Sequence, residues 1–226
     1  MAQDKRRLFT TQTFFLMWLF FGLVWLFVHL AMTVAAGETW IVDEAIMLGL
    51  RNPQDLSDPI GPTWVEEIMR DATALGSNWL LVLMSGVTGL ALGMNGKPRL
   101  GWFLVSAILS GMLVSFLLKY GFTRPRPDLV PHHTRIYTSS FPSGHAMMSA
   151  LTYFTLATLV AQIQPRRAIK ILLFSVALLL AVMVGSSRVY LGVHWPSDVV
   201  AGWCAGGFWA LLCHRVGKFF NLQGQL

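Results

Sequence analysis

An all-α polytopic membrane protein with six transmembrane helices is the fold class this sequence predicts, and three observations predict it. Hydrophobic residues make up 54% of the 226 residues and charged residues only 12%, outside the range of ordinary soluble domains. The stretch from Phe14 to Ala36 carries no formal charge. At about 1.5 Å per helical residue it is long enough to cross a hydrocarbon core about 30 Å thick. Further apolar stretches recur to the end of the chain, separated by polar connections.

The first span, Phe14 to Ala36, exceeds the apolar core of a cleaved signal and is expected to remain as a helix behind Lys5, Arg6 and Arg7. Residues 37–74 follow as a connection broken by Pro53, Pro59, Gly61 and Pro62, with Trp64, Ile68, Ala72 and Leu75 at helical spacing. This pattern reads as short interfacial helices around a turn. The segment is expected to pack on the edge of the bundle, with roofing a pocket as the alternative. Five more spans are expected at about Leu75 to Met94, Leu100 to Leu118, Ser143 to Ala161, Ile171 to Gly185 and Pro196 to Cys213. The span from Ile171 is short and should continue toward Arg188. Asn95 to Pro98 and Gln164 to Arg167 form tight turns between spans.

Positively charged connections tend to stay cytoplasmic. Lys5, Arg6, Arg7, Lys97, Arg99, Arg166, Arg167, Lys170, Arg215 and Lys218 all fall on one side of a six-span chain, so both termini are expected inside. Residues 37–74 are then extracytoplasmic, and there Glu38, Asp43, Glu44, Asp55, Asp58, Glu66, Glu67 and Asp71 outnumber Arg51 and Arg70. This anchoring accounts for most of the net charge of +6 and removes the case for a nucleic-acid partner. Cys204 and Cys213 lie on one expected helix, about 13.5 Å apart and beyond disulfide reach. Residues 1–226 read as a single membrane domain in which residues 119–198 carry the chemistry.

Ionisable groups beside membrane spans are costly and usually mark function. Here they form K-x6-R-P (Lys119, Arg126, Pro127), P-S-G-H (Pro142 to His145) and S-R-x5-H-x3-D (Ser187, Arg188, His194, Asp198). The six-span arrangement puts all three at the outer end. Arg126 and Arg188 offer forked donors to a phosphate, and Lys119 offers a compact charge. Phe141, before a proline, should be extended, and Ser143 with Gly144 should open a helix whose N–H groups face the anion. Ser143 alone would read as an ordinary cap; its neighbours favour phosphate contact.

Pro196 places His194 just ahead of the last helix and Asp198 in its first turn. From there Asp198 can reach one imidazole nitrogen while the other attacks phosphorus; the plain alternative is an acid that favours the helix dipole. His145 is placed to protonate the leaving oxygen and then to activate water. Arg124, Arg135 and Tyr137 are candidates for a second phosphate or a lipid head group, a solvated basic loop being the alternative. His29 and His214 have no motif around them and are left outside the site. His132, His133, His145 and His194 lack a recognised ligand spacing among repelling cations, so no metal is expected. No cofactor is required.

With these motifs in this order, the chain resembles the membrane type 2 phosphatidic acid phosphatase superfamily, whose soluble relatives include bacterial acid phosphatases and vanadium haloperoxidases. The resemblance spans the third to sixth helices. It implies a six-helix haloperoxidase-like bundle and transfer through a phosphohistidine. Carried over by motif, His194 is the nucleophile, His145 the acid and base, Asp198 the residue orienting His194, and Lys119, Arg126, Ser143, Gly144 and Arg188 the phosphate binders. Among membrane members the chain looks like a compact bacterial phosphatase of the cytoplasmic (inner) membrane, acting at the outer face on a lipid phosphate among membrane lipids. Undecaprenyl diphosphate is the favoured substrate, its second phosphate falling to Arg124 and Arg135. Phosphatidylglycerol phosphate and phosphatidic acid are alternatives, as is a lipid phosphotransferase. A non-catalytic lipid transporter fits less well, since no motif position is lost. Oligomeric state is left open.

Overall fold

In the computed structural model, which describes residues 2–38, 41–128 and 138–220 and side chains from residue 14 onward, the apolar stretches are helical and the residues between them cap or break the helices. In chain order the elements are α1 (Ala2–Ala35), α2 (Ile41–Gly49), β1 (Arg51–Asn52), β2 (Asp55–Pro59), α3 (Thr63–Ala74) and α4 (Asn78–Met94). They continue with α5 (Pro98–Gly121), α6 (Gly144–Ile163), α7 (Arg167–Tyr190) and α8 (Pro196–Phe219). Ser77 opens α4 by accepting the Leu80 N–H at 3.4 Å. Pro98 and Pro196 stand in the first turns of α5 and α8, where a missing N–H costs nothing. Between α4 and α5 the chain reverses at Gly96, whose φ of 75° suits a residue without a Cβ.

Among the described residues, five helices are long and apolar enough to cross a membrane: α1 from Phe14, then α5, α6, α7 and α8. Helices α3 and α4, bent by 50° at a short break, pass the same test only as a pair and make six spans if the pair counts as one. The helix expected from Leu75 starts at Asn78 instead, because residues 75–77 form the bend and Ser77 caps α4. Tyr153 of α6 holds the bend by donating its hydroxyl to the Leu75 carbonyl at 2.7 Å.

The most buried span is α6. Leu81, Leu104, Ile108, Met148 and Leu151 build the centre of the core around it, each at most 1% exposed. Helix α8 lies directly on the α6 backbone, because Gly202 and Gly206 face it. A Cβ on Gly202 would stand 2.6 Å from the Ser143 carbonyl oxygen, and one on Gly206 would strike that of Met147. The outermost span is α1, which rests on α8 through the Phe20 and Phe208 rings, 4.7 Å apart.

The connection after α1 differs from the expected pair of short helices, because a hairpin lies between them. Strands β1 and β2 pair antiparallel with an irregular register. Its residues show no apolar alternation that would have announced strands. The Asn52 side chain stabilises the turn by accepting the Gln54 N–H at 3.1 Å, and buried Arg51 anchors the hairpin by donating to the Tyr190 carbonyl at 2.7 Å. The Tyr190 hydroxyl answers with a bond to the Ile60 carbonyl at 2.8 Å. A cation at the carboxyl end of α7 is also favoured by the helix dipole.

Candidate active site

Four helix ends meet at one end of the bundle. Lys119 lies in the last turn of α5 and Arg188 in the last turn of α7, while α6 and α8 begin at Gly144 and Pro196. The first-turn N–H groups of α6 and α8 lack intrahelical partners and carry partial positive charge, which favours an anion. The Ser143 N–H joins the two helix heads by donating to the Asp198 carbonyl at 3.0 Å. Gly144 faces α5: a Cβ there would make ordinary contacts of 3.5 Å with Lys119 Cε and Ser115 Oγ.

His194 sits between α7 and α8, 2% exposed. Its Nδ1 faces Asp198 Oδ2 at 3.6 Å, the pairing expected from the sequence, and at the outer edge of hydrogen-bond reach the pair is supported by a mediator. The mediator is Ser140, whose Oγ lies 3.3 Å from His194 Nδ1 and makes a short bond to Asp198 Oδ2. A hydroxyl has one proton. Given to Asp198, it leaves Ser140 to accept from Nδ1–H, which places the ring's lone pair on Nε2. Arg126 Nη1 stands 3.3 Å from that nitrogen. Asp198 is fully buried and also accepts the Trp195 N–H at 3.0 Å, closing the head of α8. Burial pushes the His194 imidazole down to about 4, with Asp198 pulling upward and Arg126 and Arg188 adding to the depression.

The expected phosphate set gathers around this pair. Arg126 also donates to the Val193 carbonyl at 2.8 Å and is lowered by burial, Asp198 opposing. Lys119 Nζ donates to the Ser139 carbonyl at 3.0 Å. Arg188 Nη1 donates to Thr73 Oγ1 of α3 at 2.8 Å, whereas its buried Nε has no hydrogen-bond partner among the described residues. The buried Ser143 hydroxyl also has none, and it makes no side-chain cap to α6. Such orphaned groups call for a ligand to satisfy them. His145 is half-buried in the first turn of α6 and within electrostatic reach of Arg188, His194, Lys119 and Arg126. A cavity of about 660 Å³ adjoins the cluster, and its lining combines Lys119, Arg124 and Arg126 with the aromatic Phe116, Tyr120 and Phe122. Phe116 and Tyr120 are 55% and 75% exposed on the outer flank of α5.

Arg124, one of the head-group candidates, also lines this cavity while being engaged within the protein. Both arms of its buried guanidinium are taken, Nη1 by Asp198 Oδ1 at 2.6 Å and Nη2 by Asp43 Oδ2 at 2.7 Å. Arg135 and Tyr137, the other two head-group candidates, lie outside the described residues, as do His132 and His133. Sequence reasoning missed Asp43 and Ser140. Ser140 directly precedes Phe141 and the P-S-G-H motif and could have been singled out by that neighbourhood; Asp43 carries no local signal.

A family model described as PAP2 superfamily matches residues 99–221. The chain is 33% identical over 146 residues to phosphatidylglycerophosphatase B of Bacillus subtilis (strain 168), covering 63% of this chain and 70% of that protein. It is 30% identical over 135 residues to an undecaprenyl-diphosphatase of Sulfolobus acidocaldarius, covering 58% and 61% respectively. Among solved structures, the transmembrane PAP2 type phosphatidylglycerolphosphate phosphatase of Bacillus subtilis superposes with a TM-score of 0.70 at 29% identity, over 87% of this chain and 96% of that one.

Proposed function

Because this chain belongs to the PAP2 superfamily, we propose that it removes the terminal phosphate of a membrane lipid through a phosphohistidine on His194. It is a membrane hydrolase of the phosphatase class. His194 Nε2 attacks phosphorus, and an N–P bond forms as the bond to the lipid oxygen breaks. His145 gives that oxygen its proton, then takes one from water as the water attacks phosphorus and the N–P bond breaks, releasing inorganic phosphate. Lys119, Arg126, Arg188, the Ser143 hydroxyl and the α6 N–H groups bind the phosphate oxygens as their charge redistributes. The single observation that carries the reading is the His194 ring, held by Ser140 on one nitrogen and facing Arg126 at 3.3 Å with the other.

The aromatic lining of the cavity supports a lipid substrate, its tail leaving along Phe116 and Tyr120. We take phosphatidylglycerol phosphate as the first reading. The Bacillus relatives support it, and Arg124, the described cation expected to hold a second phosphate, is occupied by carboxylates. Undecaprenyl diphosphate is the second reading, supported by the Sulfolobus relative. The positive-inside pattern supports an outer-face site with both termini in the cytoplasm.

Purified protein in detergent should release phosphate from phosphatidylglycerol phosphate faster than from undecaprenyl diphosphate, phosphatidic acid or lipid A. His194→Ala should lower that release by about a thousandfold or more while the protein stays folded. Turnover retained in His194→Ala would refute the nucleophile, and a labelled acceptor in place of free phosphate would make the protein a phosphotransferase.

A further inference from the structure

Asp43 lies on α2, outside all three motifs, yet its side chain is buried at the head of α8. Its Oδ1 accepts the Ser197 N–H at 2.8 Å, and its Oδ2 accepts Arg124 Nη2 at 2.7 Å and the Ser197 hydroxyl. Arg124 Nη1 donates to Ser197 Oγ at 2.7 Å and to Asp198 Oδ1 at 2.6 Å. The guanidinium carbon lies 5.6 Å from the Trp195 ring centroid. One cation is thus clamped between two buried carboxylates, and one of these faces the nucleophile through Ser140.

A burial role alone does not require this arrangement. A buried carboxylate is costly unless paired, and Asp198 paired with Arg124 would already satisfy that need. Adding Asp43 introduces a second buried acid and leaves the trio with one net negative charge. Without it, Arg124 would neutralise Asp198, and the His194 ring would face a neutral pair. With it, Asp198 Oδ2 keeps its charge toward Ser140 and Nδ1. That charge matters when Nε2 bonds to phosphorus, because the ring then becomes cationic. A fixed negative charge at this position stabilises the change in place.

We infer that Asp43 is a positioning residue for phosphoryl transfer, acting through Arg124 to keep Asp198 anionic and aimed at His194. The inference rests on the role proposed for His194, and it makes α2 part of the catalytic apparatus.

The test uses the full chain in detergent, with dioctanoyl phosphatidic acid as probe. Asp43→Asn should lower kcat by about tenfold to a hundredfold, less than the roughly hundredfold to thousandfold of losing a donor in direct contact because Asp43 acts through Arg124, with KM changed less than about twofold. The double variant Asp43→Asn with Arg124→Gln removes acid and cation together and returns one negative charge to Asp198. Its kcat should exceed that of Asp43→Asn alone, whereas a scaffold role makes the double variant the worse of the two. Unchanged kcat in Asp43→Asn, a loss confined to KM, or a double variant no better than the single overturns the inference. If Asp43→Asn does not fold, Asp43→Ser is a smaller neutral variant with the same expected split, and failure of both to fold identifies Asp43 as scaffold only. A wild-type chain that releases no phosphate from this probe, phosphatidylglycerol phosphate or undecaprenyl diphosphate would overturn the proposed function instead.

Discussion

His194 shows how much one side chain's surroundings decide. Burial brings its imidazole down to about 4, so Nε2, the nitrogen proposed as nucleophile, keeps its lone pair through the neutral range and loses it only when acid reaches that value. In histidine-labelled protein, the ring signals absent from His194→Gln should titrate near pH 4; titration near 6.5 would contradict the buried, neutral ring. The same shift has a stability consequence. Between the ordinary value of about 6.5 and the folded one, the unfolded chain takes up a proton that the folded ring refuses. This residue's contribution to stability is therefore present above about pH 6.5 and is lost as pH falls toward 4. Lys119, Arg126, His145, Arg188, His194 and Asp198 were legible because each sits at a fixed spacing from another unusual residue. Asp43 was not: its partners Arg124 and Ser197 lie 81 and 154 positions away along the chain, and a carboxylate on a short outer helix reads as a solvated one. Arg124 was legible as a cation near the site, but the carboxylates that bind its guanidinium were not, because they lie far away along the chain.

Among the elements, the joint between α6 and α8 governs the site most directly, because the peptide bonded to Asp198 begins one helix and Asp198 lies in the first turn of the other. Gly202→Ala would press a methyl group onto the Ser143 carbonyl, with Ala146 and the Met147 nitrogen also close. Such overpacking costs about 1–3 kcal/mol and should displace the Ser143 N–H from Asp198. We expect a lower melting temperature in detergent and about a tenfold loss of kcat, since about 1.4 kcal/mol at the transition state is tenfold in rate. Gly207→Ala is the control, because its new methyl would meet only Leu23 Cδ1 at 3.4 Å and should be nearly silent. Equal effects of the two substitutions would remove the special status of this joint. The start of α8 was legible because Pro196 marks it, whereas the start of α4 behind the Ser77 cap was placed too early, at Leu75. The hairpin was hidden because tertiary anchors hold it, Arg51 on α7 above all, and no alternating pattern marks its strands.

For the whole molecule, long uncharged runs and the bias of lysine and arginine toward one side were enough to foresee an all-helical membrane protein. The bend between α3 and α4 depends on packing against α6 and could not be seen in composition. The orientation proposed from charge has a direct check, because Cys204 is buried and Cys213 half-buried and background labelling should be low. Asp58→Cys should react with an impermeant thiol reagent on intact cells, and Lys97→Cys only after permeabilisation; the reverse pattern would turn the site inward. The exposed aromatics beside the phosphate cavity also set the kind of kinetics to expect. A substrate arriving along Phe116 and Tyr120 is found by sideways travel within a film, and its frequency of arrival follows how crowded that film is with it. Adding inert amphiphile at fixed total substrate would dilute the surface and slow the enzyme, though nothing in the bulk solution had become scarcer.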